Sequence, residues 1–273
     1  MKNWLIAAFL VVSLPFLHSC GTNSYLDGRL KTPALFSIPA AVPVTDKEHF
    51  SFAVVGDLHI GRQITTRLDT ILTEAKNEGD DFLVLLGDII DKGVEADFVA
   101  VTNSVKNAGM EGRVFYVVGN HDVFDSGWDH YQRYFGPNRY TFKAGNSQFL
   151  VIDTADGTVG TEQFNWIRSQ MNGAPANTFI ASHYLPVVPS QQTYLKLSNT
   201  REALRLMKMA SDLGVRGWLG GHYHSFLTGR VGNVDYVVAG GGGGRRMPPL
   251  TEFFFAQVKV DGTNISYNLH VVP

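Results

Sequence analysis

Apolar runs and amphipathic stretches alternate along most of this chain, and nearly every apolar run stops at a small polar cluster. Phe50–Val55 is such a run, ends at Gly56-Asp57 and reads as a buried strand. Ile64, Leu68, Ile71, Leu72 and Ala75 follow at helical spacing. Phe82–Leu86 predicts a second buried strand ending at Gly87-Asp88, Glu95–Asn107 a helix, and Val114–Val118 a third strand ending at Gly119-Asn120. Gln148–Asp153 and Thr178–Ser182 read as strands on either side of a helix at Glu162–Met171. A helical pattern over Arg201–Leu213 precedes a strand at Arg216–Leu219. The tail is β-rich: Val234–Val238, then Phe253–Val260 and Ile265–Val271 joined by the hairpin signal Asp261-Gly262. This order predicts an α/β layered domain with a mixed sheet system.

The N-terminus departs from the alternation. Lys2 precedes Trp4–Leu17, a 14-residue stretch that is apolar apart from Ser13. A membrane-spanning helix needs about 20 such residues, so the stretch fits the core of a secretory signal. It ends at Leu17-His18-Ser19-Cys20-Gly21, which resembles the bacterial lipobox except for His18, where a small or aliphatic residue is usual. The resemblance implies cleavage before Cys20, lipidation of that residue, and an exported, membrane-anchored lipoprotein on the periplasmic or cell-surface side. The competing reading is a free cysteine behind an ordinary signal peptide. Residues 1–19 are then a signal peptide, 20–48 a tether marked by Pro33, Pro39 and Pro43, and 49–273 the folded domain. Leu35, Phe36 and Ile38 offer apolar contacts for docking part of that tether.

Composition narrows the field. A length of 273 residues suits one large domain or two small ones at roughly 100–200 residues per domain. The formal charge is −2, and loss of residues 1–19 removes Lys2 and no acid, leaving −3. A non-specific nucleic-acid binder would carry a large basic excess, so long nucleic acid is disfavoured as a partner. One cysteine can form neither an intrachain disulfide nor a cysteine zinc cage.

The candidate chemistry sits where the buried strands stop: Asp57-Leu58-His59, Asp88-Ile89-Ile90-Asp91, Asn120-His121-Asp122, His183, and His222-Tyr223-His224. Loops at the carboxyl ends of strands in an open α/β sheet converge on a ligand crevice. Five of the nine histidines fall in these loops. One histidine in such a place is usually structural, but five of them among carboxylates form the donor set of a divalent-metal site. Two ions close together also need a shared anion, which an aspartate in the middle of the set can supply.

The series D-x-H (57–59), G-D-x-x-D (87–91), G-N-H-D (119–122), a lone H (183) and G-H-x-H (221–224) resembles the calcineurin-like metallophosphoesterase superfamily over residues 50–224. The resemblance implies a four-layer α-β-β-α sandwich of two mixed sheets flanked by helices. It implies two metal ions, divalent or mixed-valence, drawn from Mn, Zn and Fe. Asp57, His59, Asp88 and His224 would hold the first; Asp88 as a bridge, Asn120, His183 and His222 would hold the second. Such ions, about 3.5–4 Å apart, clamp a phosphoryl group and lower the pKa of a shared water for in-line attack. His121 would serve the leaving oxygen, with Asp91 accepting from its other ring nitrogen. Asp122 is either that acceptor or a loop cap for backbone amides. Purple acid phosphatases usually place Tyr at position 91 and lack His59, so the resemblance is to the Mn-, Zn- and Fe(II)-using branches.

The implied activity is hydrolysis of a phosphate monoester or diester on a small phosphorylated substrate. A nuclease, or a metal-binding interaction module that has lost catalysis, are the alternatives; the complete ligand set weighs against the latter. No cap domain of the 5′-nucleotidase kind is evident. Phe124–Tyr140, with Trp128, His130, Tyr131, Arg133, Tyr134, Phe135 and Arg139, reads as a packed excursion rather than a wall of the cleft. Tyr184–Thr200 reads equally as a lid or an ordinary loop. Gly240–Gly244 reads as a flexible turn, with Arg245 and Arg246 as candidate substrate contacts.

Overall fold

The computed structural model describes residues 24–62, 65–188, 196–250 and 252–273. Two sheets face each other between two layers of helices, the predicted four-layer sandwich. The first sheet has five strands: β2 (His49–Val55), β3 (Phe82–Leu85), β4 (Val114–Tyr116), β11 (Phe253–Asp261) and β12 (Asn264–Val272), in the order β12-β11-β2-β3-β4. The strands β2, β3 and β4 run parallel, whereas β11 and β12 form the antiparallel hairpin expected at Asp261-Gly262. The second sheet has seven strands: β1 (Ala41–Val42), β5 (Tyr140–Ala144), β6 (Ser147–Val151), β7 (Asn177–Ala181), β8 (Val215–Gly220), β9 (Phe226–Val231) and β10 (Val234–Ala239), in the order β1-β5-β6-β7-β8-β10-β9. Its centre, β6-β7-β8-β10, is parallel.

Strand alternation sorts the apolar residues into layers. On β2, Phe50, Phe52 and Val54 point between the sheets, while Ala53 and Val55 point to the helices. The inter-sheet layer is a continuous aromatic stack, with Phe52 on Phe82 at 4.8 Å and Phe149 on Phe179 at 5.1 Å between ring centroids. Phe52 meets Phe149 edge-on at 5.1 Å across the two sheets. Each such ring, fully buried, contributes roughly 1.5–3 kcal/mol by area. Because both faces of these strands are covered, their sequences are mostly apolar, with Ser51 and Gln148 among the exceptions, and stand out as runs.

Helices α2 (Thr66–Asn77), α3 (Glu95–Asn107) and α4 (Gly127–Tyr134) cover the five-stranded sheet through Leu68, Ile71, Phe98, Val101 and Tyr131. Helices α5 (Gly160–Gln170) and α6 (Thr200–Asp212) cover the seven-stranded sheet through Ile167, Leu206 and Met209. The 124–140 excursion is packed as expected, since Tyr131 and Phe135 are wholly buried and Arg133 and Tyr134 bind Glu95 at 2.8 Å. Its core is not its own, however; the rings join the main cluster under the five-stranded sheet.

The tether differs from expectation. Ser24–Lys31 forms a helix, α1, and β1 pairs in parallel with the edge strand β5. Leu26 is buried against α5, and Arg29, 6% exposed, pairs with Asp153 at 2.7 Å and Asp156 at 3.1 Å. Asp153 also accepts from Asn138 and from the Ala155 amide. A buried arginine reads in sequence as an ordinary surface charge, so this docking had no local signal. Breaking such a pair leaves a buried carboxylate without its charge partner, held by Asn138 and the Ala155 amide alone, at about 3–5 kcal/mol. Arg29→Met is expected to lower Tm by on the order of 10 °C, measured by calorimetry. A fall under a degree or two would make the segment a loose tether after all.

Among the described residues no helix is long and apolar enough to cross a membrane. Trp4–Leu17 and Cys20 lie outside the described residues.

Candidate metal centre

The carboxyl ends of β2, β3 and β4 in one sheet and of β7, β8 and β10 in the other open onto the same place. Asp57 and His59 follow β2, Asp88 and Asp91 follow β3, and Asn120 and His121 follow β4. His183 follows β7, and His222 and His224 follow β8. The loops are tied to one another by backbone bonds, among them Asp57 N to Gly87 O at 2.9 Å, His59 N to Asp88 O at 3.0 Å and Asp91 N to Ile60 O at 2.9 Å.

Asp57, His59, Asp88 and His222 have φ between 48° and 64°, the left-handed region. For residues with a Cβ this costs roughly 1–3 kcal/mol each and persists only where the surroundings impose it. Glycine would relieve the strain but would remove the donor atoms. The strain therefore coincides with the side chains that carry the chemistry.

Three trios of donor atoms result, each with its ligand-type atoms within 4.8 Å of one another. Two of them, Asp57-His59-His224 and Asp88-His183-His222, are made of the predicted metal donors; the third, His59-Asp91-His121, joins His59 to the two residues read as catalytic. Asp88 joins the first two: its Oδ2 lies 3.2 Å from His183 Nε2 and 3.9 Å from His59 Nε2. Asn120 Oδ1 stands 3.1 Å from His183 Nε2, and His224 Nε2 stands 3.3 Å from Asp57 Oδ1 and 3.4 Å from His59 Nε2. All seven residues read as metal donors in the sequence are thus brought together.

The histidines are oriented from behind. Nδ1 of His183 donates to the Leu86 carbonyl at 2.9 Å, Nδ1 of His224 to the Arg245 carbonyl at 2.8 Å, and Nδ1 of His59 to the Asp91 carboxylate at 3.1 Å. Each bond commits one ring nitrogen and turns Nε2 toward the shared centre, as metal-binding imidazoles require. Nδ1 of His222 is buried without a partner. An orphaned imidazole nitrogen beside two carboxylates, with three neighbours pre-aimed, fits a pair of divalent cations.

The electrostatics agree in sign. Burial opposes charge on His183, but the Asp88 and Asp57 carboxylates outweigh it and push the imidazole up to about 9. Burial and the neighbouring His183 charge bring His222 down to about 4. Asp88 is buried, yet the surrounding imidazoles, His183 foremost, hold it below the usual carboxylate range. The carboxylates thus favour positive charge on His183, while burial opposes it on His59 and His222.

Two expectations are corrected and one open alternative is decided. Asp91 does accept from His121 Nδ1, at 2.8 Å, but through its backbone carbonyl; its carboxylate binds His59 instead and lies 3.8 Å from His121. Asp122 is the loop cap, accepting the Ile90 and Gly119 amides at 2.8 Å each. Burial and Asp88 push its carboxyl up to about 8, against those two amides. Gly240–Gly244 is not a flexible turn but a buried floor to the site. Gly242 and Gly244 amides bind the Gly56 and Asp57 carbonyls at 3.0 and 2.7 Å. A Cβ on Gly244 would collide with the His224 ring, and one on Gly240 with the Asp57 carboxylate.

Of the two arginines that follow, Arg245 contributes its carbonyl, and Arg246 lies over the Phe253 ring at 4.9 Å alongside Arg67 at 3.4 Å. Tyr184 was missed as a site residue. Its ring lies 3.9 Å from that of His222, and the only sequence cue is its place directly after His183. Leu185, Val188 and Leu197 bury the described ends of the 184–200 segment, and residues 189–195 lie outside the described residues.

Comparison with known proteins agrees with the fold. A probable cyclic nucleotide phosphodiesterase of Rhodococcus erythropolis is 26% identical over 204 residues, 67% of this chain and 65% of that protein. The chain therefore spans less than two thirds of that relative. A second probable cyclic nucleotide phosphodiesterase, from Fibrobacter succinogenes, is 23% identical over 227 residues, 76% of this chain and 86% of the relative. The fold is similar to that of a dimetal phosphatase from Danio rerio, with TM-score 0.58 and 14% identity, covering 82% of this chain and 99% of that one. It is similar too to GAP50, the anchor in the inner membrane complex of Plasmodium, with TM-score 0.60 and 14% identity over 82% and 84% of the two chains. A family model described as calcineurin-like phosphoesterase matches residues 50–226, and the chain belongs to that family of phosphate-ester hydrolases.

Proposed function

We propose that this chain is a dinuclear-metal phosphodiesterase for a small phosphodiester, with cyclic nucleotides as the first candidates. The observation that carries the reading is the pair of Asp/His trios meeting at Asp88. Asp57, His59, Asp88 and His224 would hold one ion, and Asp88, Asn120, His183 and His222 the other. When bound, the ions polarise phosphoryl oxygens and bring the pKa of water toward neutrality.

The chain's own part is charge and position. Asp57 and Asp88 supply the two anions, and the bonds behind the imidazoles keep each Nε2 aimed inward. His121 stands outside these two trios; its ring meets that of His59 edge-on at 4.6 Å and is partly open to solvent. With Nδ1 donating to the Asp91 carbonyl, the neutral ring's Nε2 is an acceptor, and His121 serves a leaving oxygen as acid only in its imidazolium form, through Nε2. Support for a diester comes from the names of the two curated relatives.

The test is a rate comparison on cyclic adenosine monophosphate, bis(p-nitrophenyl) phosphate and p-nitrophenyl phosphate, with Mn, Zn and Fe(II) loaded separately. Both diesters are expected to turn over faster than the monoester. A preference for the monoester under every metal would replace the reading with a phosphatase.

We also propose export and anchoring through Cys20, supported by the apolar stretch and the lipobox-like sequence before it. Because α1 begins at Ser24, an acyl anchor would tie the domain within about 14 Å of the bilayer surface, at roughly 3.6 Å per residue. Fatty-acid labelling of the full chain in a bacterial host is expected, and its loss in Cys20→Ala. An unlabelled parent chain would overturn the anchor.

A further inference from the structure

Arg62 stands at the rim of the centre without a role in the scheme above. Asp91 Oδ1, which accepts from His59 Nδ1, also lies 3.3 Å from a terminal nitrogen of Arg62. The same oxygen is 3.8 Å from His121 Nδ1. One buried carboxylate oxygen therefore gathers a metal-side imidazole, the imidazole outside both trios, and an arginine. Asp91 is 5% exposed, whereas the Arg62 side chain is 54% exposed.

The backbone holds this grouping in place. Ile60 N donates to Ile89 O and Asp91 N to Ile60 O, each at 2.9 Å, and Arg62 N donates to His59 O at 3.2 Å. A guanidinium carries five N–H donors in a planar fork suited to phosphate and paired oxygens. Among the described residues Asp91 is its one ion-pair partner, and it engages one edge of the fork. The side chain is otherwise about half exposed, so further donors are open to solvent. The other arginines near the site do not occupy this side: Arg245 and Arg246 follow the glycine floor on the His224 side, and Arg246 and Arg67 lie on Phe253.

We infer that Arg62 is a substrate-positioning residue, which binds oxygen atoms of a nucleotide on the His121 side of the scissile phosphorus. Nucleotides, with a ribose and a phosphate rich in acceptors, then bind better than simple aryl esters of the same phosphoryl group. Asp91 ties the guanidinium, His121 and His59 into one unit, so the substrate's leaving side is registered against the metal centre. The inference rests on the phosphodiesterase reading and deepens it.

The test uses the full Mn-loaded chain, Arg62→Ala and Arg62→Lys, with adenosine monophosphate as the probe in calorimetry. Arg62→Ala is expected to weaken its binding about 10-fold to 100-fold, the range for a hydrogen bond to a charged group. Arg62→Lys should recover part of the loss, and all three proteins should hold the same metal content. In turnover of cyclic adenosine monophosphate, KM should rise more than kcat falls. Binding within twofold of the parent, or a parent that does not bind the nucleotide, would overturn the role. Loss of metal from Arg62→Ala would overturn it too, showing that the arginine acts only through Asp91 and His59. The phosphodiesterase reading is judged separately, by hydrolysis of bis(p-nitrophenyl) phosphate by the parent chain.

Discussion

Asp88→Asn is expected to lose bound metal and activity together. Asp88 is 1% exposed, and its two oxygens do different work. Oδ1 accepts the His121 amide at 2.8 Å, which an asparagine oxygen would still do. Oδ2 faces His183 and His59 between the two trios, where the amide would place an N–H₂ group with no lone pair to offer. The substitution also removes one of the two carboxylates that balance two divalent ions in a dry site. Metal content should fall from two ions to one or none, and kcat/KM by on the order of 10³-fold or more. The isosteric change keeps the shape but breaks the buried Asp88–His183 pair, so Tm of the metal-free protein should also fall by several degrees. Retention of both ions with a rate within tenfold of the parent would remove Asp88 from the bridging position.

His121→Ala separates the acid from the metal. Both ions should remain, because His121 stands outside the Asp57-His59-His224 and Asp88-His183-His222 trios and shares only the third, with His59 and Asp91. Loss of an acid that protonates the leaving oxygen costs typically 10²–10⁴-fold, so a sugar-alkoxide leaving group should suffer a loss of about that size. Nitrophenolate leaves as a stable anion and needs little protonation, so bis(p-nitrophenyl) phosphate should lose far less. Rates and metal content measured side by side make the distinction. Equal losses on the two diesters would mean that His121 serves the phosphoryl oxygens or the packing of His59 instead.

Much of this architecture is legible in the sequence for a simple reason. The strands β2, β3, β6, β7 and β10 are covered on both faces and so carry largely apolar runs, with Ser51, Gln148 and Asp235 among the exceptions. Elements with less burial left weaker marks. The edge strand β9 is mostly exposed or half-buried and contains Gly229 and Arg230, so no alternation announces it. Helix α4 is eight residues long and spends its aromatic side chains on the core rather than on a regular stripe. Helix α1 is held largely by one leucine and a buried arginine.

The site shows the same division. Its donor residues follow the ends of apolar runs and are visible for that reason, but their pairing depends on contacts across the chain. Asp91 meets His59 because the loops after β2 and β3 join at a bridge between Ile60 and Ile90, 30 residues apart in sequence. Spacing within G-D-x-x-D cannot reveal that contact. The glycine run has the same composition whether it is loose or crowded, and only the approach of His224, Asp57 and Leu58 shows it to be crowded. The left-handed backbone at four site residues likewise leaves no trace in residue type, since function forbids the glycine that would mark it.

The central claim is that the two trios hold two metal ions bridged by Asp88. Anomalous diffraction from crystals of the Mn-loaded protein tests it most directly. Two peaks about 3.5–4 Å apart, one beside Asp57, His59 and His224 and the other beside Asn120, His183 and His222, with Asp88 between them, are the predicted result. A single peak, or two that do not share Asp88, would contradict it.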